Sequence, residues 1–243
     1  MRANAEIYDA LWEACPDFSR FNPGARHRRR WIKRKLQRFA PRTVLDVGCG
    51  TGELLVWLRR ELSGVESWTG VDQSEKTMIA NAARDPGAEY APLDIELAHL
   101  DRRFDVVICT EVVEHLSKRD AALENLFAMV APGGHLVLTC PTGKVHATER
   151  HFGHVSHPSP RELRAQLERA GFASVTIENW GFPTYLASKY ATNVSPDWAL
   201  SRFATGRYDA RAKAVSNALF LANFLNLKSS PLGCQLYVTA SVA

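Results

Sequence analysis

The chain has 243 residues, 46% hydrophobic and 23% charged, with a formal net charge of +4: an ordinary globular composition with room for one large α/β domain. Five scattered cysteines (Cys15, Cys49, Cys109, Cys140, Cys234) have no paired metal spacing, and their odd number fits a reducing cytosol better than a disulfide scaffold. No apolar run reaches spanning length and no charged-then-apolar start precedes a cleavage site, so the reading is a cytoplasmic protein, neither exported nor inserted in a membrane.

Residues 1–40 read as an N-terminal helical cap. Within it, Arg26 to Arg42 carries nine lysines and arginines and no acid. On a helix, Ile32, Leu36 and Phe39 form an apolar stripe and the cations surround the rest. Nucleic acid, anionic lipid or a phosphorylated substrate would suit such a surface, and so would plain solvent.

The most informative stretch follows. Val44 to Val47 reads as a buried strand, and Gly48-Cys49-Gly50-Thr51-Gly52 turns the chain into a helix over Thr51–Leu62. Glycine suits the turn because it tolerates φ > 0 and lets a ligand approach the backbone. The dinucleotide pattern G-x-G-x-x-G would need glycine where this chain has Glu53. A carboxylate at a helix mouth repels a pyrophosphate and can face a cationic ligand. Asp46, two residues ahead of the first glycine, either faces that ligand or accepts N–H groups of the turn.

Strand and helix signals alternate from Thr43 to Glu178, the mark of a mostly parallel, doubly wound α/β sheet with helices on both faces. Gly70-Val71-Asp72-Gln73-Ser74 ends a second strand, and Leu93-Asp94-Ile95 follows a third. Phe104 to Thr110 is the fourth, and Val130 to Leu138 contains the turn and fifth strand. Helices are expected over Ser74–Ala83, Lys118–Val130 and Pro160–Ala170, with Gly171 as a stop and Ala173–Glu178 as a strand. Ligands of such sheets bind beyond the carboxyl ends of the strands, so the glycine loop, Asp72, Asp94 and Thr110 should converge on one crevice. Residues 183–232 form a helical insertion before the last strand, rich in aromatic and basic residues (Tyr185, Tyr190, Trp198, Arg202, Phe203, Arg207, Tyr208). Its apolar stretch Ala214–Leu227 reads as a packed helix.

After the fourth strand, Glu111, Glu114 and His115 are spaced i, i+3, i+4 and would share a helical face. His151, His154 and His157 follow the fifth strand. Two carboxylates and two imidazoles in one crevice could hold a divalent cation; alternatively, the histidines serve as general base or as structural groups.

The landmarks Asp46 to Gly52, Asp72, Asp94, Asp105 to Glu111 and Pro132-Gly133-Gly134 resemble the class I S-adenosylmethionine-dependent methyltransferases, small-molecule, ubiquinone-pathway-like type. The match runs from about Trp31 to Phe182 and returns at Gly233 to Val242. The resemblance implies a Rossmann-like seven-stranded sheet, with a core of residues 41–182 and 233–243 and a substrate lid of residues 183–232. It implies S-adenosylmethionine as cofactor, S-adenosylhomocysteine as product, and a small-molecule acceptor. Asp72 would bond the ribose hydroxyls and Asp94 the adenine amino group. Arg28 would meet the cofactor carboxylate, and Asp46, Gly48, Cys49, Gly50, Gln73, Ile95, Thr110 and Glu111 would complete the pocket. His115, His154 and His157 are the catalytic candidates, and O-methylation is favoured because a hydroxyl needs a base. No metal is expected. The E-x-x-E-H motif is also similar to the metal site of RNA 3′-terminal 2′-O-methyltransferases, which would make Glu111, Glu114, His115 and His154 ligands and Arg26 to Arg42 an RNA surface. A non-catalytic cofactor-binding protein is the third alternative, and a monomer or homodimer is expected.

Overall fold

The computed structural model describes residues 17–203 and 206–243. Cys15 and the first sixteen residues of the expected cap lie outside them. Seven strands are present: β1 (Thr43–Val47), β2 (Ser67–Asp72), β3 (Glu89–Pro92), β4 (Phe104–Thr110), β5 (Val130–Pro141), β6 (Ala173–Trp180) and β7 (Gln235–Ser241). They form one sheet in the order β3-β2-β1-β4-β5-β7-β6. The pairs among β1 to β5 are parallel, and β7 runs antiparallel to β5 and β6. Strand order reverses between β1 and β4, so the carboxyl ends there leave a crevice.

Alternation along β4 shows why the sheet is covered on both sides. Val107 and Cys109 join one core with Leu45, Leu123 and Leu126, while Val106 and Ile108 join a second with Trp31, Leu36, Leu55 and Leu58. Trp31, Ile32 and Leu36 come from the basic helix Pro23–Phe39, which Asn22 caps by accepting from the Ala25 N–H at 3.0 Å. Phe39 stacks on His135 with ring centroids 3.8 Å apart. The apolar stripe is therefore as expected, widened by Trp31 and the buried His27.

The helix after the glycine loop spans Glu53–Glu61, two residues later than expected, because Gly52 still has φ 70°. The others begin close to their signals: Glu75–Arg84 after the Ser74 cap, Arg119–Met129, and Pro160–Arg169 with a Ser159/Glu162 capping box.

Between β6 and β7 lie helices Thr184–Val194, Pro196–Phe203 and Ala210–Ala222, the last running into a 3₁₀ turn, Asn223–Leu225. The stretch Ala214–Leu227 is helical as expected over most of its length, but it does not bury its apolar residues. Ser216 and Asn223 are buried, while Leu221 and Leu225 are 65% and 72% exposed.

Candidate active site

A cavity of about 510 Å³ opens beyond the ends of β1, β2 and β4. All the expected cofactor residues line it: Arg28, Asp46, Gly48, Cys49, Gly50, Asp72, Gln73, Asp94, Ile95, Thr110 and Glu111. Gly48, Gly50 and Gly52 have φ of 71°, 50° and 70°, and a Cβ on Gly48 would lie 2.3 Å from Val112 Cγ2. The turn has both a conformational and a steric need for glycine there.

Asp72, not Asp46, ties this turn down. Its Oδ2 accepts from Gly50 N–H and its Oδ1 from Ser74 N–H, each at 3.1 Å. The N–H groups of Gly48 and Cys49 donate to Val71 O, at 2.8 and 3.0 Å. Asp46 is buried, and its Oδ1 has no hydrogen-bond partner. Burial and then the charge of Asp72 push its carboxyl up to about 8. An orphaned buried oxygen beside a second acid fits a ligand bearing positive charge, as an ammonium and a sulfonium do. Glu53, expected to face that ligand, lines the cavity but has Arg29 3.2 Å from its Oε2.

Glu111 leaves β4 with φ 56°. Its Oε1 accepts from Thr139 Oγ1 at 2.9 Å and Gln235 Nε2 at 2.7 Å, and its Oε2 lies 3.4 Å from an Arg28 amino group. Arg28 thus meets a protein carboxylate at the cavity wall. The following 3₁₀ helix is only Val113–His115, so Glu111, Glu114 and His115 do not share an α-helical face as expected. The tighter turn directs Glu114 into the core, fully buried, with neither carboxyl oxygen hydrogen-bonded. Burial and then Glu111 raise its pKa well above the usual carboxylate range.

His115 Nδ1 lies 3.1 Å from Gly153 O. A carbonyl only accepts, so Nδ1 carries the proton and Nε2 the lone pair. Burial lowers the His115 pKa, which keeps the ring neutral. His154 also lines the cavity, its ring edge-on to His115 with centroids 4.6 Å apart. His154 Nδ1 is 2.9 Å from His157 Nε2. Burial depresses both, to about 2 and about 4. His157 is enclosed behind His154 and does not line the cavity, so it reaches the site only through its neighbour; His151 is exposed and apart from it.

Two donor groups come close enough for a shared ion among the described residues: Glu114, His115 and His154, and Glu149, His154 and His157. Glu111 belongs to neither, its oxygens being engaged by Thr139, Gln235 and Arg28, so the four-residue set is not assembled. Burial raises the Glu114 pKa, and Lys189 Nζ sits 2.7 Å from Glu149 Oε1. Lys189 thus already occupies the second group, while the first keeps two carboxyl oxygens without a hydrogen-bond partner.

Sequence reasoning missed the residues that frame the histidines. Glu149, Phe152, Ser188, Lys189 and Thr192 all line the cavity. The Glu149–Lys189 pair joins positions forty residues apart, which no local spacing announces. Of the aromatic and basic residues of the insertion, Tyr185, Phe203 and Tyr208 reach the cavity. Tyr190, Trp198, Arg202 and Arg207 do not; Trp198 is 60% exposed and Arg202 pairs with Asp209 at 2.7 Å.

A family model described as a methyltransferase domain matches residues 25–177. The tRNA U34 carboxymethyltransferase of Pseudoalteromonas translucida is 31% identical over 160 residues, 59% of this chain and 48% of its own. A ubiquinone biosynthesis O-methyltransferase of Coxiella burnetii is 36% identical over 100 residues, 38% of this chain and 41% of its own. The chain therefore spans less than half the length of these curated relatives. Phosphoethanolamine N-methyltransferase 2 of Haemonchus contortus, solved with S-adenosyl-L-methionine, has a TM-score of 0.61 at 16% identity, covering 100% of this chain and 57% of its own. The family match over most of the chain, the 3-2-1-4-5-7-6 sheet and the glycine loop at its switch point agree: this chain belongs to the methyltransferase-domain family, within the class I S-adenosylmethionine-dependent methyltransferases.

Proposed function

We propose that the protein transfers a methyl group from S-adenosylmethionine to a hydroxyl of a small-molecule acceptor, with His115 as the general base. The observation that carries this reading is the tautomer of His115. Its Nδ1–H is fixed on Gly153 O, which leaves the Nε2 lone pair as the proton acceptor of a ring that lines the cofactor cavity.

When bound, S-adenosylmethionine supplies an electrophilic methyl on a sulfonium that departs as a neutral thioether. The chain's own residues do the rest. Asp46 holds positive charge at the loop end, Asp72 orients the sugar hydroxyls, and Asp94 accepts from the adenine amino group. His115 takes the proton from the acceptor hydroxyl as its oxygen closes on the methyl carbon. His154, oriented by His157, helps fix the acceptor. The insertion helices cover the cavity with Tyr185, Leu200, Phe203 and Leu219, which excludes water and holds the reacting atoms in line.

A small acceptor suits this chain better than RNA. Five of the nine cations between Arg26 and Arg42 are paired with acids of the core: Arg28 with Glu111, Arg29 with Glu53, Lys33 with Glu61, Lys35 with Glu178 and Arg42 with Glu66. Isothermal titration with S-adenosylmethionine and S-adenosylhomocysteine, followed by a methyl-transfer screen over hydroxylated and aminated acceptors, tests the reading. Micromolar cofactor affinity with transfer to hydroxyls supports it. Binding without transfer to any acceptor would leave a cofactor-binding protein, and absence of binding would overturn the cofactor itself.

A further inference from the structure

The last insertion helix is inverted relative to a packed helix. Its polar Ser216 and Asn223 are buried, while Leu221, Phe224, Leu225 and Leu227 are 65%, 53%, 72% and 52% exposed. Leu221 lies in the last turn of the helix, and Phe224 and Leu225 lie in the 3₁₀ turn it runs into, all three exposed. Four exposed bulky apolar groups within seven residues are a feature of the kind that marks an interaction surface.

The basic helix borders this patch. Arg26, Arg30 and Arg34 fall on consecutive turns, and the first two lie against the insertion helix. Arg26 donates to Asn217 Oδ1 at 2.8 Å and covers the Phe220 ring at 3.7 Å, and Arg30 lies 5.3 Å from the centroid of Phe224. Arg30 and Arg34 are exposed, and no carboxylate among the described residues pairs with Arg26, Arg30 or Arg34. Lys228, 84% exposed in its side chain, follows Leu227. Residues 23–42 and 210–243 contain no Asp or Glu; Glu178, with a side chain 13% exposed, lies 3.8 Å from Lys228 Nζ.

We propose that this face docks the protein on an anionic phospholipid bilayer, with Leu221, Phe224, Leu225 and Leu227 entering the headgroup layer and Arg30, Arg34 and Lys228 meeting lipid phosphates. Exposed apolar side chains beside exposed cations match an anionic interface in both hydrophobicity and charge. No described helix is long and apolar enough to cross a membrane, so the association is peripheral. The same two helices line the cavity from their other sides, through Arg28 and Arg29 and through Ser216 and Leu219. Docking would thus set the cavity beside the lipid surface. The proposal does not depend on which acceptor is methylated.

Flotation of the full chain with vesicles of phosphatidylglycerol and of phosphatidylcholine tests it. Binding to the anionic vesicles, weak binding to the zwitterionic ones, and release by added salt are expected. The R30Q/R34Q double variant should weaken binding about 30-fold, at about 1 kcal/mol per cation near an anionic surface. L221S/L225S should abolish flotation while leaving the melting temperature and cofactor affinity unchanged, since both side chains face solvent. Equal binding to both vesicles, or none to either, overturns the proposal. So does anionic binding that survives L221S/L225S, which would mean a bare basic surface. A dimer that the leucine substitutions dissociate would assign the face to a second copy of the chain and overturn it as well.

Discussion

His154 Nδ1 lies 2.9 Å from His157 Nε2, and only His154 reaches the cavity. On the proposed reading His157 is a positioning residue that holds the rotation of the His154 ring through this contact. His157→Ala should lower turnover on the order of tenfold by letting that ring drift, while cofactor affinity stays unchanged. The check is a comparison of kcat with the dissociation constant of S-adenosylhomocysteine, and a loss in both would assign His157 to the framework alone.

On the proposed reading Asp46 should make cofactor binding depend on pH. Its carboxyl titrates near 8 in the unliganded protein, raised by burial and by Asp72. A positively charged ligand stabilises the carboxylate and lowers that value. Binding below pH 8 must then release a proton, so affinity should rise with pH up to about 8, by at most tenfold per unit, and level off above. Calorimetry at pH 6, 7, 8 and 9 in buffers of different ionisation enthalpy measures the proton directly. Affinity that falls as pH rises would reverse the assignment.

Asp72 holds two backbone groups of the loop as well as, on the proposed reading, the ribose. Asp72→Asn keeps the shape but replaces one accepting oxygen with a donor. It should weaken S-adenosylmethionine by about 1–3 kcal/mol, the usual loss for an unpaired polar contact. Titration of the variant against wild type decides, and unchanged affinity removes Asp72 from the pocket.

His115→Ala should leave cofactor affinity intact and lower kcat by about 100-fold or more. A base must be neutral to accept a proton, and burial depresses the pKa of His115 from its ordinary value near 6.5. Turnover should thus fall only on the acid side, as pH drops below about 6.5, and be flat from there through neutrality. A kcat–pH profile of the wild type that falls instead above pH 7 points to a different base.

Glu111 is engaged by three neighbours and Lys189 occupies Glu149, so a chelator should not affect turnover. Activity in excess EDTA, with and without manganese, settles this. Loss in chelator with recovery in manganese would place a cation on Glu114, His115 and His154 after all.

The residues that could be read from the sequence are those whose role is local. Glycine at positions 48, 50 and 52 reports a backbone with positive φ wherever the chain goes next, and Asp72 ends β2 while Asp94 lies two residues past β3. Alternating strands and helices dictate a covered parallel sheet, and β4 buries both faces as its unbroken apolar run requires. The E-x-x-E-H motif was harder to read. Its spacing predicts one shared face only if the turn is α-helical, and the chain there makes a 3₁₀ turn that sends Glu114 inward and leaves Glu111 on the wall.

By itself, then, the sequence determined the glycine loop, the order of the strands that flank it and the acids at their ends, because backbone conformation and hydrophobic period act over a few residues. Tertiary structure decided which nitrogen of His115 carries the proton, that His157 stands behind His154, that Lys189 meets Glu149, and that the leucines after Leu219 face outward. Each of these depends on what a distant segment places alongside: Gly153 O for His115, the insertion for Glu149, the basic helix for Phe220 and Phe224. Contacts of that kind are set by packing across the whole chain, and no local pattern of residues encodes them.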